Sequence, residues 1–356
     1  MRVIVTAGGT GGHIYPALSI INKIKEENPN SKFLYIGTTD RMEKDIVPSF
    51  GIPFFGIEIC GLQKNIKGIK SIFLFLKAIG TCKKKIKEFK PDIVIGVGGY
   101  VTAPVIYAAK KLGIKTIVHE QNSIPGKSNK FLEKYTDRIM VSLPGSLKYF
   151  NKDKVVLTGN PRSEEAKEAK KVKKEDLGFD NKKLVLIVMG SLGSMTINKT
   201  LKDCVTAFNG KDYNVILVTG KNYYPEYEKL DIPSNVHVEP FLDNMINILK
   251  SCDLIVSRAG ASTIAEITGL GVPSILVPSP YVANNHQYYN AKELEDAGGS
   301  IILEEKDFNK DTLLETIDQI LENNILLCHM SECSKNLGIK DSKQRIYNVI
   351  EEVCKK

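Results

Sequence analysis

The segment VIVTAGGTGGHIYPALSI, residues 3–20, decides how the first half of the chain is read. A β-branched run ends in Gly8, Gly9, Thr10, Gly11 and Gly12, then His13, then a Pro-led apolar segment of helical character. Strand, glycine loop and helix in that order let backbone N–H groups approach a ligand at a helix N-terminus. The spacing fails the dinucleotide test, because Gly9 and Gly11 fit the first two positions of G-x-G-x-x-G but the last falls on Ile14. No Gly-Lys-Ser/Thr follows, so it is not a nucleoside-triphosphate loop either.

The same order recurs along the chain. Apolar runs VIVTA (3–7), FLYIG (33–37), IVIGVGG (93–99), TIVHE (116–120), RIMVS (138–142) and VVLTGNP (155–161) alternate with helical stretches. They are continuous rather than alternating, which predicts strands covered on both faces by helices, as in a parallel sheet. After the charged, Pro-free stretch 163–183 the pattern restarts with LVLIVMG (184–190), NVILVTG (214–220), VHVEPFL (236–242), DLIVSRAG (253–260), SILVP (274–278) and SIILEE (300–305). The expected fold class is α/β, with two tandem Rossmann-like domains at 1–162 and 163–340. A terminal helix, 341–356, is expected to pack back on the first through Ile346, Val349, Ile350 and Val353. Ligands of such sheets bind beyond the C-terminal ends of the strands, so the two domains are expected to face a shared cleft.

Of the 356 residues, 42% are apolar and 25% charged, the balance of a globular chain with full cores. The seven cysteines form no Cys-x-x-Cys pair, which favours reduced, mostly buried thiols and argues against a zinc site. No secretory signal and no membrane-spanning helix is expected. Arg2 is the only charge before the first strand, and the longest uncharged run, 93–109, contains Gly96, Gly98, Gly99 and Pro104. The net charge of +8 is local: nine lysines (64, 67, 70, 77, 83, 84, 85, 87 and 90) stand against Glu88 between Gly61 and Lys90, leaving the rest neutral.

Two more loops follow strands in the first domain: GVGGYVTAP (96–104), with Gly98, Gly99 and Tyr100, and HEQNSIPGKSN (119–129), with Glu120 and Asn122. Their convergence makes His13, Glu120 and Asn122 candidates for function, although a polar residue at a helix start also serves as a cap. In the second domain, GSLGSMTIN (190–198) offers Gly190, Ser191 and Gly193 at a helix start, suited to a diphosphate or to a tight turn with a Ser cap. SRAGASTIAEI (257–267) would start a helix at Ala261, Ser262 and Thr263. Ile264 and Ala265 lead to Glu266, whose carboxylate would accept hydrogen bonds from ribose hydroxyls or simply complement the helix start. YVANNHQYYNA (281–291) adds Asn285, His286 and Gln287 as partners for a sugar, or is an ordinary polar loop.

Together, GGTGGHIYPALSI, GVGGYVTAP, HEQNSIPGKSN, GNPR, GSLGSMTIN, SRAGASTIAEI and NHQYYNA resemble, in order and spacing, the MurG family of peptidoglycan N-acetylglucosaminyltransferases, from residue 3 to residue 305. The resemblance implies a glycosyltransferase B fold, with 1–162 taking the acceptor and facing the membrane and 163–340 holding the UDP-sugar. It implies inverting transfer of N-acetylglucosamine from UDP-N-acetylglucosamine to the 4-hydroxyl of undecaprenyl-diphospho-N-acetylmuramoyl-pentapeptide, lipid I becoming lipid II, at the cytoplasmic face of the cell membrane. It carries donor contacts onto Thr10, Gly11, Gly12, Asn122, Ser191, Ala261, Ser262, Thr263, Ile264, Ala265, Glu266 and Gln287, and a uracil contact onto Leu242. Two positions depart from the pattern. The family's Arg two residues after the Pro of GNP is replaced by Ser163, with Arg162 directly after Pro161 as the remaining diphosphate candidate. His286 stands where relatives often carry a first glutamine.

Inverting transfer needs a base opposite the departing UDP and a means of stabilising the diphosphate. His13 is the expected base, since an imidazole suits proton abstraction near neutral pH, with Glu120 the alternative. No Asp-x-Asp metal site stands in a strand-end loop, so the helix N-termini at Ser191 and Ala261 are expected to replace a metal, and no cofactor is required.

Read as a helix over 66–89, the basic stretch puts Ile69, Ile72, Phe73, Phe75, Leu76 and Ile79 on one face. Lys67, Lys70, Lys77, Lys84 and Lys85 fall on another, with Leu74 among them and Phe73 at the border. With Lys83, these are expected to hold an anionic membrane surface, which attracts each nearby lysine by roughly 1 kcal/mol; a solvated face on a core helix would show the same pattern. Competing readings are another two-domain sugar-nucleotide enzyme, such as a glycolipid glycosyltransferase or a UDP-sugar epimerase, and a nucleic-acid-binding protein. A single Lys-rich stretch without interleaved aromatic platforms argues against nucleic acid as a partner.

Overall fold

The computed structural model describes residues 1–61, 66–189 and 195–355, with side chains for all of these except 66–70 and 195. The chain forms two compact units, Met1–Arg162 with Asp341–Lys356, and Ser163–Lys340.

The first unit runs β1 (Arg2–Ala7), α1 (Gly11–Glu27), β2 (Lys32–Thr38), α2 (Glu43–Ser49), β3 (Phe54–Ile57), α3 (Ile66–Phe89), β4 (Ile93–Gly98), α4 (Thr102–Lys111), β5 (Lys115–Glu120), α5 (Lys127–Leu132), β6 (Arg138–Val141), β7 (Val155–Leu157) and α6 (Arg162–Glu168), which leads into the second unit. Its seven strands are parallel, in the order β3-β2-β1-β4-β5-β6-β7. Parallel neighbours need a crossover between them, and the crossovers cover both faces, which is why β4 is buried along its whole length. β3 has no counterpart in the sequence reading. It is a four-residue edge strand, partly exposed except at Ile57, and its run FFGI follows Pro53 and contains Gly56, punctuation that argues against a strand.

The second unit contains β8 (Lys183–Val188), α7 (Met195–Val205), β9 (Tyr213–Val218), α8 (Tyr224–Tyr227), β10 (Val236–Glu239), α9 (Met245–Leu249), β11 (Leu254–Ser257), α10 (Ala261–Leu270), β12 (Ser274–Leu276), α11 (His286–Asp296), β13 (Ser300–Ile302), α12 (Lys310–Glu322) and α13 (Asn324–Leu337). Its six strands are also parallel, in the order β10-β9-β8-β11-β12-β13. Winding reverses between β1 and β4 in one sheet and between β8 and β11 in the other, so the loops following those strands are the natural ligand positions.

The chain then returns to the first unit as α14 (Ser342–Lys355), whose Ile346, Ile350 and Val353 join Ile14, Leu18 and Ile21 of α1 over Val3, Val5 and Ile95 of the sheet. The opposite face buries Ile4, Leu34 and Val94 against Val105 and Ile106 of α4 and Ala78, Cys82 and Ile86 of α3.

The face of α3 differs from the sequence reading. The stripe Phe75, Ala78, Ile79, Cys82, Ile86 and Phe89 packs inward, whereas Ile72, Phe73 and Leu76 are exposed, at 55%, 68% and 61%. The expected apolar face merges two faces, because the core reaches only the side of the helix that carries small Ala78 and Cys82. Leu74, expected among the membrane residues, is half-buried. Among the described residues no helix is long and apolar enough to cross a membrane.

Ile350 is wholly buried between α1 and the sheet. Ile350→Ala is expected to cost about 2–5 kcal/mol. Native-state hydrogen exchange should show that loss at α1 and β1, with protection of β8 and β9 unchanged.

Candidate active site

In the first unit, the loops after β1 and β4 interlock. The β1–β4 register shifts after Thr6, pairing Ala7 with Gly98. Gly8 N then donates to Gly98 O at 3.2 Å, and the Thr102 hydroxyl donates to the same carbonyl at 2.8 Å. Gly98 and Gly99 have φ of +116° and +84°. A Cβ on Gly99 would lie 2.4 Å from Gly8 O, and one on Gly98 would lie 2.6 Å from His13 Nδ1. These two glycines, expected as a loop for the acceptor diphosphate, thus make room for the first loop and for the His13 ring. Half-buried Tyr100 follows them, and the Arg41 guanidinium lies beside it, an association that raises the guanidinium pKa.

A residue absent from the sequence candidates holds the first loop from the other side. Wholly buried Glu43, at the start of α2, accepts from Gly9 N at 3.1 Å, Thr38 N at 3.0 Å and the Thr38 hydroxyl at 2.7 Å. Its carboxylate therefore fixes the loop through backbone N–H groups. Beyond the loop, exposed Thr10 precedes α1 without a side-chain cap, so the N–H groups of Gly11 and Gly12 have no partner among the described residues.

Half-buried His13 stands in the first turn of α1, with its Nδ1 3.0 Å from Gln121 Oε1. Gln121 is buried; its Nε2 donates to Val97 O at 2.8 Å and lies 2.9 Å from His119 Nδ1. Wholly buried His119 places Nε2 3.0 Å from Gly159 O in the GNP turn. Burial pushes the His119 pKa down, favouring the neutral ring.

Glu120, expected as an alternative base, takes a different part. It is buried and accepts from Asn122 N (2.9 Å), Asn122 Nδ2 (3.1 Å), Gly126 N (2.9 Å) and Asn129 Nδ2 (2.9 Å). Four donors leave no approach for an acceptor hydroxyl, so Glu120 shapes the loop that displays half-buried Asn122. Arg162, the remaining diphosphate candidate, stands over the ring of exposed Tyr15 on α1, 5.8 Å from its centroid.

In the second unit, Ser191 lies outside the described residues. α10 starts at Ala261 after Gly260, which has an extended backbone and makes no side-chain cap. Ala261, Ser262 and Thr263 are half-buried, and the buried Ser262 hydroxyl has no partner among the described residues. Ile264 and Ala265 turn into the core, so only their backbone remains for a ligand. Buried Glu266 lies in the second turn, too far along for the helix-start alternative.

Gln287 of α11 accepts from Ser279 N at 2.9 Å, and its amide nitrogen has no partner among the described residues. His286 Nδ1 lies 2.9 Å from Ala283 O, so that ring closes the local turn. Just before it, Asn284 and Asn285 have φ of +56° and +50°, a conformation L-residues adopt rarely and Asn most readily. Asn290 Nδ2 donates to Ala259 O at 3.1 Å, tying α11 to the loop before α10. Beneath that loop, Arg258 and Glu305 form a part-buried ion pair at 2.7 Å that the sequence does not suggest. Half-buried Leu242 follows β10, and its backbone N–H makes no hydrogen bond among the described residues. Among the described residues no three His, Cys, Asp or Glu side chains are grouped as metal ligands.

Comparison with known proteins matches residues 3–141 to the glycosyltransferase family 28 N-terminal domain and residues 184–346 to the family 28 C-terminal domain. A UDP-N-acetylglucosamine–N-acetylmuramyl-(pentapeptide) pyrophosphoryl-undecaprenol N-acetylglucosamine transferase of Bacillus cereus is 47% identical over 100% of both chains. The crystal structure of MurG from Acinetobacter baumannii superposes with a TM-score of 0.81 at 28% identity, over 99% of each chain. A UDP-N-acetylglucosamine 2-epimerase from Neisseria meningitidis shares the fold alone, with a TM-score of 0.70 at 16% identity over 99% of this chain and 100% of that one. With both halves matched in order and relatives aligned end to end, the chain belongs to glycosyltransferase family 28 and, within it, to the MurG family.

Proposed function

We propose that the chain transfers N-acetylglucosamine from UDP-N-acetylglucosamine to the 4-hydroxyl of N-acetylmuramoyl-pentapeptide on undecaprenyl diphosphate, with inversion. The observation that carries this reading is the end-to-end match to a transferase named for that donor and acceptor. The first unit takes the acceptor and supplies the base; the second holds the donor.

In the transfer, the His13 imidazole takes the proton of the acceptor hydroxyl, and the oxygen attacks the anomeric carbon. The bond from that carbon to the UDP oxygen breaks with its electron pair on the β-phosphate, so UDP leaves and the new linkage is β. The growing negative charge meets the first N–H groups of α10 and the unpartnered Ser262 hydroxyl. Glu266 takes the ribose hydroxyls, Leu242 N–H the uracil, and the Gln287 amide the sugar. The resemblance also assigns donor contacts to Thr10, Gly11, Gly12 and Asn122, and Arg162 adds positive charge beside α1.

The same reading places the chain on the cytoplasmic face of an anionic membrane through α3. Exposed Ile72, Phe73 and Leu76 lie beside Lys77, Lys84 and Lys87, with Lys83 at the edge. Lys77 and Lys85 contribute less than the sequence suggests, because they pair with Glu58 and Glu88, each at 3.2 Å, and Lys85 also stands over the Phe55 ring. The side chains of Lys67 and Lys70 lie outside the described ones. Nucleic acid is not part of this reading.

His13→Ala is expected to lower kcat by about 10²–10⁴-fold, while Glu120→Gln chiefly lowers the melting temperature; turnover assays with lipid-linked acceptor and thermal unfolding separate the two. Near wild-type turnover in His13→Ala, with loss in a folded Glu120→Gln, would swap the roles. Exhaustive chelation should leave activity intact, and loss restored by a divalent cation would overturn the metal-independent reading. Phe73→Glu/Leu76→Glu should abolish sedimentation with phosphatidylglycerol vesicles. Salt, or Lys83→Ala/Lys84→Ala/Lys87→Ala, should weaken it; binding indifferent to all three would count against the α3 surface.

A further inference from the structure

We propose that Gln121 is a positioning residue that fixes the tautomer of His13, holding the proton on Nδ1 and leaving the lone pair on Nε2 for the acceptor hydroxyl. This deepens the proposed role of His13 as base and rests on it.

The argument starts from atoms whose hydrogen-bonding role cannot change. A backbone carbonyl only accepts. Gly159 O lies 3.0 Å from His119 Nε2, so that nitrogen carries the proton and the Nδ1 of a neutral His119 is an acceptor. Burial favours that neutral ring. Gln121 meets this acceptor and two carbonyls from one end of its amide, at 2.9 Å from His119 Nδ1, 2.8 Å from Val97 O and 3.1 Å from His119 O. Three acceptors around one group require the NH₂, which fixes the orientation of the amide without reference to His13.

The other end is therefore the oxygen, and it lies 3.0 Å from His13 Nδ1. An amide oxygen only accepts, so Nδ1 carries the proton. An unconstrained imidazole favours the opposite tautomer, so the arrangement supplies what the base requires. The ring is also confined laterally, because a Cβ on Gly98 would fall 2.6 Å from His13 Nδ1 and 2.8 Å from Cε1. The GNP turn, singled out in the sequence for Arg162, thereby has a second part to play, since its Gly159 carbonyl anchors the chain of hydrogen bonds that ends on His13.

The test pairs kinetics with ring ¹⁵N NMR of the histidine-labelled full chain, the His13 signals being assigned by their loss in His13→Ala. Wild type is expected to show a protonated Nδ1 and an unprotonated Nε2 at neutral pH. Gln121→Met, which keeps the volume and removes the acceptor, should shift His13 toward the opposite tautomer. Its kcat should fall between tenfold and the ~10²–10⁴-fold loss of deleting the base, with the KM for UDP-N-acetylglucosamine within twofold. Gln121→Glu, whose charge favours the protonated ring and whose second oxygen would face Val97 O and His119 O, should not restore kcat. A wild-type spectrum with the proton on Nε2 overturns the proposal, even if Gln121→Met does not fold; so does a folded Gln121→Met with unchanged tautomer and kcat. Full turnover in His13→Ala would instead remove the underlying base reading.

Discussion

The first unit depends on two strand-end loops closing on each other through bare backbone. Gly99 stands against Gly8 with no room for a Cβ, and Gly98 against the His13 ring. Backbone on the far side cannot yield as the tip of a long side chain can. A side chain at Gly99 would have to part the loops after β1 and β4, the two strands between which the winding of the sheet reverses. Closing them brings Gly98 O within reach of Gly8 N and the Thr102 hydroxyl, and leaves His13 at the start of α1 with its ring pressed on Gly98. The glycines that read as a ligand cradle are thus first a condition for placing the side chain beside it.

Around that contact two buried carboxylates of the first unit are satisfied from within. Glu43 and Glu120 are both buried, and each is met chiefly by backbone N–H groups and neighbouring side chains of its own loops. A buried polar group left without a partner costs roughly 1–3 kcal/mol, so these networks hold one loop geometry before any substrate arrives. In the second unit the Ser262 hydroxyl and the Gln287 amide nitrogen lack partners among the described residues, and Asn284 and Asn285 hold left-handed backbone. A ligand that supplies the missing acceptors recovers that cost on binding.

Among the described residues, twelve of the thirteen strands are legible in the sequence because parallel strands buried on both faces are written as continuous apolar runs, and the motif loops because strand ends and glycines punctuate those runs. β3 is not, since Pro53 and Gly56 break its short apolar run into what reads as a turn. The orientation of α3 escapes periodicity for another reason. Spacing identifies an apolar face, but which part of a wide face meets the core depends on the neighbouring elements, here α4 and the sheet. Glu43 is inconspicuous because a single acidic residue at a helix start looks like a charge complementing the helix; its contact with Gly9 spans 34 residues of chain. Gln121 lies inside HEQNSIPGKSN, yet its neighbours His119, Glu120 and Asn122 carry the more conspicuous chemistry, and its part emerges only once Val97 and Gly159 are brought beside it.

On the proposed mechanism, the same geometry favours an imidazole on an amide over the nearby carboxylate as the base. Taking up a proton, Glu120 would set a hydroxyl against groups that can only donate, and the loop carrying Asn122 would lose its anchor at the moment of reaction. His13 can take up a proton on the ring nitrogen away from Gln121 while keeping its bond to the amide oxygen, because Nδ1 donates in both the neutral and the charged ring. A carboxylate in place of that amide would also fix the tautomer, but its charge would favour the protonated imidazole and withdraw the lone pair before the acceptor arrives. A neutral acceptor orients the ring without committing it, which is the condition a base must meet when the hydroxyl it serves gives up its proton only as the bond to sugar forms.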